Sequence, residues 1–211
     1  MINSYDNELK KAADHLAKND PKLAPIIASA GLPTFMPHDN YYASLIGSII
    51  SQQLSVKAAD TIEKRFLALF ETDLPQPDEI LAKSIDELRS AGLSNAKANY
   101  IRDLAQHIQD GKLEFSRFKN LNNEEIIAEI TAVNGIGVWT AHMFLMFCMG
   151  RLDVLAVGDL GIRNGIKALY KLKEMPSPQD VEKIAKKNNW HPYETAACWF
   201  IWHSLDNAPK I

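Results

Sequence analysis

Residues 130–141, ITAVNGIGVWTA, decide the fold of this 211-residue chain. Apolar residues at helical spacing lead into Asn134-Gly135-Ile136-Gly137, and the pattern predicts a second helix directly after this turn. Glycine lets another backbone approach closely, so two glycines around one apolar residue predict a tight turn. The free N–H groups of such a turn, at a helix N-terminus, are suited to binding a phosphate. An ordinary helical hairpin that ends in a glycine cap is the alternative.

The rest of the chain also predicts helices. Apolar residues repeat at helical spacing in several stretches, and Ser55, Ser84 and Ser94 are the expected N-caps of three of them. Strand signals are scarce, and LDVLAV (152–157) is too isolated to found a sheet, so we expect an extended connector there. The sequence therefore predicts an all-α fold of about ten short helices, forming a single domain over residues 1–211.

The composition is that of a globular protein, with 46% hydrophobic and 23% charged residues. Two cysteines are too few for a disulfide framework, a four-cysteine zinc site or a cysteine-ligated iron–sulfur cluster. The net charge of −3 argues against nucleic acid coating the whole surface, yet it leaves room for a local phosphate-binding face. Without a signal peptide or an apolar run of membrane-spanning length, we expect a cytoplasmic protein, nucleoid-associated, or a nuclear one in a eukaryote.

Five motifs, in order along residues 40–205, resemble a single family. They are SIISQQLSVKAA (48–59), GLSNAKANYIRDLA (92–105), NGIGVWTA (134–141), DVLAVGDLGIR (153–163) and WHPYETAACWFIW (190–202). Together they resemble the helix-hairpin-helix DNA glycosylases of the HhH-GPD superfamily, and most of all DNA-3-methyladenine glycosylase II. The resemblance implies a compact helical bundle in two lobes with an active-site cleft between them. It implies a helix-hairpin-helix at about 122–149 and a catalytic loop at about 151–163.

The resemblance makes Asp159 the catalytic residue. An alkylated purine such as 3-methyladenine carries positive charge and leaves as a neutral base without being protonated first. One ionised carboxylate then suffices to stabilise the oxocarbenium-like sugar and to direct a water. Taken alone, an aspartate before LGIRNGIKALY is more typical of a helix N-cap, and the two roles are compatible.

Trp139, Trp202 and Met143 match the base pocket of the family. Aromatic walls stabilise a cationic base that has been flipped out of the duplex. Trp139 stands where the glycosylase/lyase branch has a nucleophilic lysine, so the resemblance implies a monofunctional enzyme. Met143 replaces a tyrosine of the prototype, which leaves the range of bases open. Trp199, one helical turn before Trp202, is expected in the core.

The resemblance also assigns contacts to DNA. The turn after SIIS would supply the side chain that fills the gap left by the flipped base, with Gln53 and Leu54 as the candidates. The alternative is that Leu54 is buried and Gln53 only caps a helix. The implied DNA-binding residues are Gly135, Ile136, Gly137, Gln53, Leu54 and Arg163, with Lys57 and Lys97 as further candidates for phosphate contacts.

A structural Na+ or K+ at the hairpin is implied as well, with no catalytic cofactor. The backbone carbonyls of Thr131, Val133 and Ile136 match the positions that hold this cation in the family. Two further positions depart from the family pattern. Asn134 stands where proline is common, a change that turn geometry tolerates. Glu194 stands where arginine is usual, and the sequence leaves its role open.

The sequence thus predicts a monofunctional DNA glycosylase of base excision repair that acts as a monomer on damaged double-stranded DNA. It would remove alkylated purines of the 3-methyladenine and 7-methylguanine type and leave an abasic site. Two alternatives remain open. The same fold could excise a different damaged base, or the chain could be a non-catalytic helix-hairpin-helix DNA-binding protein. A helical interaction scaffold would leave the five ordered motifs unexplained.

Overall fold

A computed structural model of the chain describes residues 4–205, and these residues contain helices and no strand. The predicted all-α fold is therefore confirmed for this part of the chain. The described residues form twelve α-helices, numbered α1 to α12 in chain order. Their bounds are Ser4–Asn19, Ala24–Ala30, Tyr41–Ser51, Val56–Leu67, Pro77–Ala82, Ile85–Ser90, Asn95–Gln109, Asn123–Thr131, Val138–Met143, Leu160–Leu169, Pro178–Lys187 and Glu194–Ser204.

The sequence predicted about ten helices, and the described residues form twelve. Two of the shortest, α5 and α6, have six residues each. Both are too short to show a clear apolar period. Side-chain caps mark their starts instead, because Gln76 and Ser84 each form a capping box with the glutamate three residues on. A 3₁₀ turn, Phe115–Asn120, precedes α8, and a π-helical turn, Phe144–Cys148, follows α9.

Local sequence signals place three helix starts correctly. The predicted N-caps at Ser55, Ser84 and Ser94 are confirmed, because each hydroxyl accepts a hydrogen bond from the backbone N–H three residues on. Residues 152–157 form neither helix nor strand, so the predicted connector is confirmed, while bends at residues 152–153 and a turn at Val157 show that it is not extended throughout. Within residues 4–205, no helix is both long and apolar enough to cross a membrane.

The chain divides into two compact units. The first unit comprises the stretch up to His38 and the stretch from Leu145 onward, and the second is Asp39–Phe144. The first unit is built from α1, α2, α10, α11 and α12. Its interior includes residues 195–202 of α12, all of them buried, and the carboxylate of Asp20, which accepts hydrogen bonds from Trp190 Nε1 (2.8 Å) and from the hydroxyl of Tyr170.

The second unit contains α3 to α9. Helix α3 buries residues on more than one side, as its apolar sequence predicts. An aromatic cluster fills part of the same interior: the ring of Tyr41 lies 6.1 Å from that of Phe118 and 5.5 Å from that of Phe144, measured between centroids. Helices α3 and α7 pack together, and so do α8 and α9, which form the hairpin.

Candidate functional site

Asp159 lies at the start of α10, in the first unit, as the N-cap of that helix. Its backbone is extended, and its Oδ1 atom accepts a hydrogen bond of 2.8 Å from the N–H of Ile162. The positive end of the helix dipole favours a negative charge at this position. The expectation that Asp159 caps a helix is therefore confirmed, and the cap fixes the place of its carboxylate.

A second donor reaches the same oxygen from α12. The indole Nε1–H of Trp202 donates to Asp159 Oδ1 over 2.8 Å. A Cβ at position 161 would lie 3.0 Å from both Oδ1 and Nε1, so Gly161 leaves room for this bond. Hydrogen bonds to an ionised acceptor are the strong ones in proteins, and two of them from different helices hold the carboxylate in one orientation.

The structure places Trp202 deeper than the sequence indicated. Only 4% of this residue is exposed, and its ring lies 6.0 Å from that of Phe147. Its bond to Asp159 gives it a positioning role, which the sequence did not predict; its contact with a base stays a prediction. Trp199 is 6% exposed and stacks on His203, which confirms its place in the core.

Arg163 lies one turn into α10 and is half-buried. Its Nε–H donates to the carbonyl of Pro176 over 2.8 Å. The Nε–H of the guanidinium is therefore used within the first unit, and its other N–H groups remain for the predicted contact with DNA.

The glycine turn lies in the second unit, between α8 and α9, where the sequence predicted it. Gly135 has φ of +84°, and a Cβ at this position would lie 2.1 Å from the ring of Tyr100. Both observations require glycine. Gly137 differs, because its φ is −94° and a Cβ there would meet no atom within 4 Å. Among residues 4–205, no contact explains a glycine at position 137.

The N–H groups of this turn are only partly available. The N–H of Ile136 donates to the carbonyl of Val133 over 3.1 Å, and the side chain of Ile136 is buried. The turn itself therefore uses the N–H and the side chain of Ile136, and contact of this residue with DNA stays a prediction. The N–H groups of Gly137 and Val138, at the start of α9, have no acceptor among the described residues.

Two side chains fix the hairpin turn from neighbouring helices. Asp103 Oδ2, on α7, accepts from the backbone N–H of Asn134 (2.7 Å) and from its side-chain amide (3.0 Å). Gln52 Nε2, after α3, donates to the carbonyl of Gly135 over 2.8 Å. A proline at position 134 would have no backbone N–H to donate to Asp103, so asparagine at this position adds a hydrogen bond that the family's proline cannot form.

The turn between α3 and α4 lies beside the hairpin, because Gln52 joins the two. Gln53 adopts a left-handed conformation, with φ of +57°, and is exposed. Leu54 is 38% exposed, so the alternative that it is buried is wrong. Lys97 holds this turn from α7: its ammonium donates to the carbonyls of Ile50 (2.8 Å) and Gln52 (2.7 Å). Lys97 is thus directed to the backbone of α3.

Trp139 and Met143 both lie on α9. Trp139 is 55% exposed, an unusual position for so large an apolar side chain, and Met143 is half-buried. An exposed tryptophan at the start of a helix has the surface needed to contact a ligand. Contact of these two residues with a base stays a prediction.

The predicted cation carbonyls lie at the C-terminal end of α8. The carbonyls of Thr131 and Ile136 accept no N–H from the described residues, and that of Val133 accepts one and has a second lone pair. Neutral carbonyl oxygens at the negative end of a helix dipole suit a monovalent cation. In residues 4–205, no group of three His, Cys, Asp or Glu side chains is placed to hold a metal ion.

Sequence reasoning missed three supporting side chains, Gln52, Asp103 and Lys97. All three lie inside motifs that the sequence singled out, but their partners are 31 to 83 positions away in the chain.

The role of Glu194 also becomes clear in part. It begins α12, where a carboxylate suits the helix dipole, and its Oε1 lies 3.1 Å from Nδ1 of His191.

Comparison with known proteins gives the family of the chain. Residues 46–190 match the model of the family described as HhH-GPD superfamily base excision DNA repair protein. DNA-3-methyladenine glycosylase 1 of Schizosaccharomyces pombe is 33% identical over 199 residues, which are 92% of this chain and 86% of the relative.

Two solved structures are similar over most of the chain. A DNA-3-methyladenine glycosidase from Bacillus halodurans has a TM-score of 0.82 at 38% identity, covering 92% of this chain and 88% of the other. The S. pombe glycosylase Mag1 in complex with abasic DNA has a TM-score of 0.74 at 31% identity, covering 93% and 97%. The chain belongs to the HhH-GPD superfamily of base excision DNA repair proteins.

Proposed function

We propose that this protein is a DNA glycosylase that flips alkylated purines out of duplex DNA and hydrolyses their N-glycosidic bond, leaving an abasic site. Its family is that of base excision repair, and its relatives are named for 3-methyladenine. The single observation that carries the catalytic assignment is Asp159. Its Oδ1 accepts N–H donors from both α10 and α12, so the carboxylate has a fixed place before any substrate arrives.

The reaction needs little beyond this carboxylate. Methylation at N3 of adenine or N7 of guanine gives the base a positive charge, so the departing base takes the bonding electrons and leaves neutral. The sugar becomes oxocarbenium-like, and the negative charge of Asp159 stabilises it. A water then adds to C1′ of the sugar, and Asp159 takes up the proton that this water loses.

We further propose that the enzyme has no lyase activity. A glycosylase that also cuts the strand uses an amine as nucleophile at the sugar. Trp139 occupies the position that matches this amine, and an indole cannot form the required covalent bond. The product would then be an intact strand with an abasic site.

The second unit supplies the groups proposed to hold DNA. The N–H groups of Gly137 and Val138 would bind a phosphate, and the absence of a side chain at Gly137 would let the DNA backbone approach. Gln53 or Leu54, exposed on the adjoining turn, would fill the gap left by the flipped base. Arg163 is a further candidate for a phosphate contact, because only its Nε–H is used in the bond to Pro176.

A monovalent cation, Na+ or K+, fits the carbonyls of Thr131, Val133 and Ile136. It would supply positive charge close to a bound phosphate and take no part in the chemistry at the sugar. We also propose that the protein acts as a monomer and works where chromosomal DNA is found, in the nucleoid or in the nucleus.

The proposed function is tested with duplex DNA treated with a methylating agent. Wild-type protein, with a chelator present throughout, should release free 3-methyladenine or 7-methylguanine, identified by chromatography. The strand should stay uncut until alkali is added, and borohydride should trap no covalent complex. Strand cleavage without alkali would contradict the monofunctional assignment. DNA binding without release of any base would favour a different damaged base or a binding protein.

A further inference from the structure

One face of α12 runs along the segment that carries Asp159. Thr195, Cys198 and Trp202 are spaced by three and four residues, so their side chains lie on the same side of the helix. Thr195 and Cys198 have no exposed surface and Trp202 has 4%. Each of the three forms a hydrogen bond to a different part of residues 151–159, a segment with no regular secondary structure.

Thr195 holds the beginning of this segment. Its hydroxyl donates to the carbonyl of Arg151 over 2.7 Å and accepts the N–H of Val154 at 3.2 Å. Its backbone N–H donates to the carbonyl of Leu152 over 2.9 Å. A buried hydroxyl needs hydrogen-bond partners inside the protein, and those of Thr195 are backbone groups of this segment. The bonds therefore fix a stretch of backbone that no helix or strand holds in place.

Cys198 holds the middle of the segment. Its Sγ accepts the backbone N–H of Ala156, and the carbonyl of Ala156 in turn accepts the N–H of Asp159 over 3.0 Å. Burial raises the pKa of the Cys198 thiol to about 12, so the group stays a neutral thiol near pH 7. Ala156 therefore connects Cys198 to the backbone of Asp159.

We propose that Thr195 and Cys198 are positioning residues for Asp159, and that α12 aligns the whole catalytic segment through one side-chain face. Residues 151–159 run in the same direction as α12, bound first by Thr195, next by Cys198 and last by Trp202. A displacement at either of the first two bonds moves the carboxylate at the third. The catalytic part of this inference rests on the proposed function, whereas the alignment itself does not.

Two substitutions at one position separate alignment from packing. Thr195→Val keeps the shape of the side chain and removes the hydroxyl, whereas Thr195→Ser keeps the hydroxyl and removes a methyl group. Ile201→Val is the matched control, because Ile201 is fully buried in the same helix and forms no side-chain bond to residues 151–159. Single-turnover base release and affinity for duplex DNA are measured for each variant.

Thr195→Val should slow base release about tenfold or more, since a small misplacement of a catalytic group is costly, while DNA affinity stays unchanged. Thr195→Ser should restore most of the rate. Equal rates for Thr195→Val and Ile201→Val, or a serine variant no faster than the valine variant, would overturn the inference. Cys198→Ala should slow release in the same way as Thr195→Val.

A spectroscopic measurement tests the alignment independently of activity. The indole N–H resonance of Trp202, assigned by its loss in Trp202→Phe, reports the bond to Asp159 in ¹H–¹⁵N spectra. Thr195→Val should shift this resonance, whereas Thr195→Ser and Ile201→Val should leave it in place. An unshifted resonance in Thr195→Val would overturn the inference, whether or not the wild-type protein releases a base. A wild-type protein that releases no base would contradict only the proposed function.

Discussion

The indole N–H of Trp202 donates to Oδ1 of Asp159 over 2.8 Å, although the two residues are 43 positions apart in the chain. The same oxygen accepts the N–H of Ile162 within the cap of α10. A charged group that is already oriented before the reaction does not have to reorganise in the transition state. Such electrostatic preorganisation is the largest single contribution to rate enhancement in many enzymes. The bond therefore links the packing of a buried helix to the proposed chemistry.

Trp202→Phe tests this link. Phenylalanine fills most of the same volume and lacks the donor, so we expect single-turnover base release to fall about tenfold or more, the effect of losing one bond to a charged acceptor. Trp199→Phe is the control, because it makes the same change at a buried position of α12 without touching Asp159. Rates that fall equally in the two variants would assign the effect to packing alone.

The two hairpin glycines should respond differently. Gly135→Ala forces a side chain into the ring of Tyr100 at a positive φ, and we expect it to destabilise the fold by about 2 kcal/mol or more. Gly137→Ala meets no atom of the protein, so the melting temperature should not change, while affinity for damaged and undamaged duplexes should drop about tenfold. Full DNA affinity in Gly137→Ala would exclude close approach of the DNA backbone at this turn.

Lys97 is expected to act on the fold of the second unit. Lys97→Met removes two donors to the carbonyls at the end of α3 and should cost about 1 kcal/mol, a modest value because the half-buried ammonium is partly screened by water. Lys57→Met changes an exposed lysine of α4 and should leave the melting temperature unchanged. If thermal unfolding showed equal stability for both variants, Lys97 would have no part in holding the turn.

His142 should make the protein less stable in mild acid. Burial lowers the pKa of this histidine on α9 below its ordinary value of about 6.5. As the pH falls below about 6.5, the unfolded chain takes up a proton that the folded state resists, so the free energy of unfolding decreases. Urea unfolding at several pH values should show a shallower decrease for His142→Gln than for the wild type.

Local features of this protein were predictable from sequence. The positions of the glycine turn at residues 134–137, of the serine caps and of the cap at Asp159 are indicated by residues within four positions, which periodicity and cap chemistry describe directly. The family resemblance added the catalytic assignment of Asp159, which no local pattern distinguishes from a helix cap.

Contacts between distant segments were not predictable in this way. The sequence marked Lys97 as a phosphate contact, yet its ammonium is held by two carbonyls of the preceding turn. It treated Ile136 as a DNA contact, yet the turn uses its N–H and buries its side chain. For Lys97 a tertiary neighbour decides what the residue does, and one sequence carries no record of such pairs. For Ile136 the hydrogen bond to Val133 is local, and the burial of its side chain depends on the tertiary fold.

The most direct test of the account is base release by Asp159→Asn on methylated duplex DNA under single-turnover conditions. Asparagine keeps an oxygen that accepts the N–H groups of Ile162 and Trp202, so the fold and the DNA affinity should be retained while the negative charge is lost. We expect release to fall at least about 100-fold relative to the wild type. A variant that binds DNA normally and still releases the base at the wild-type rate would contradict the assignment of Asp159 as the catalytic residue.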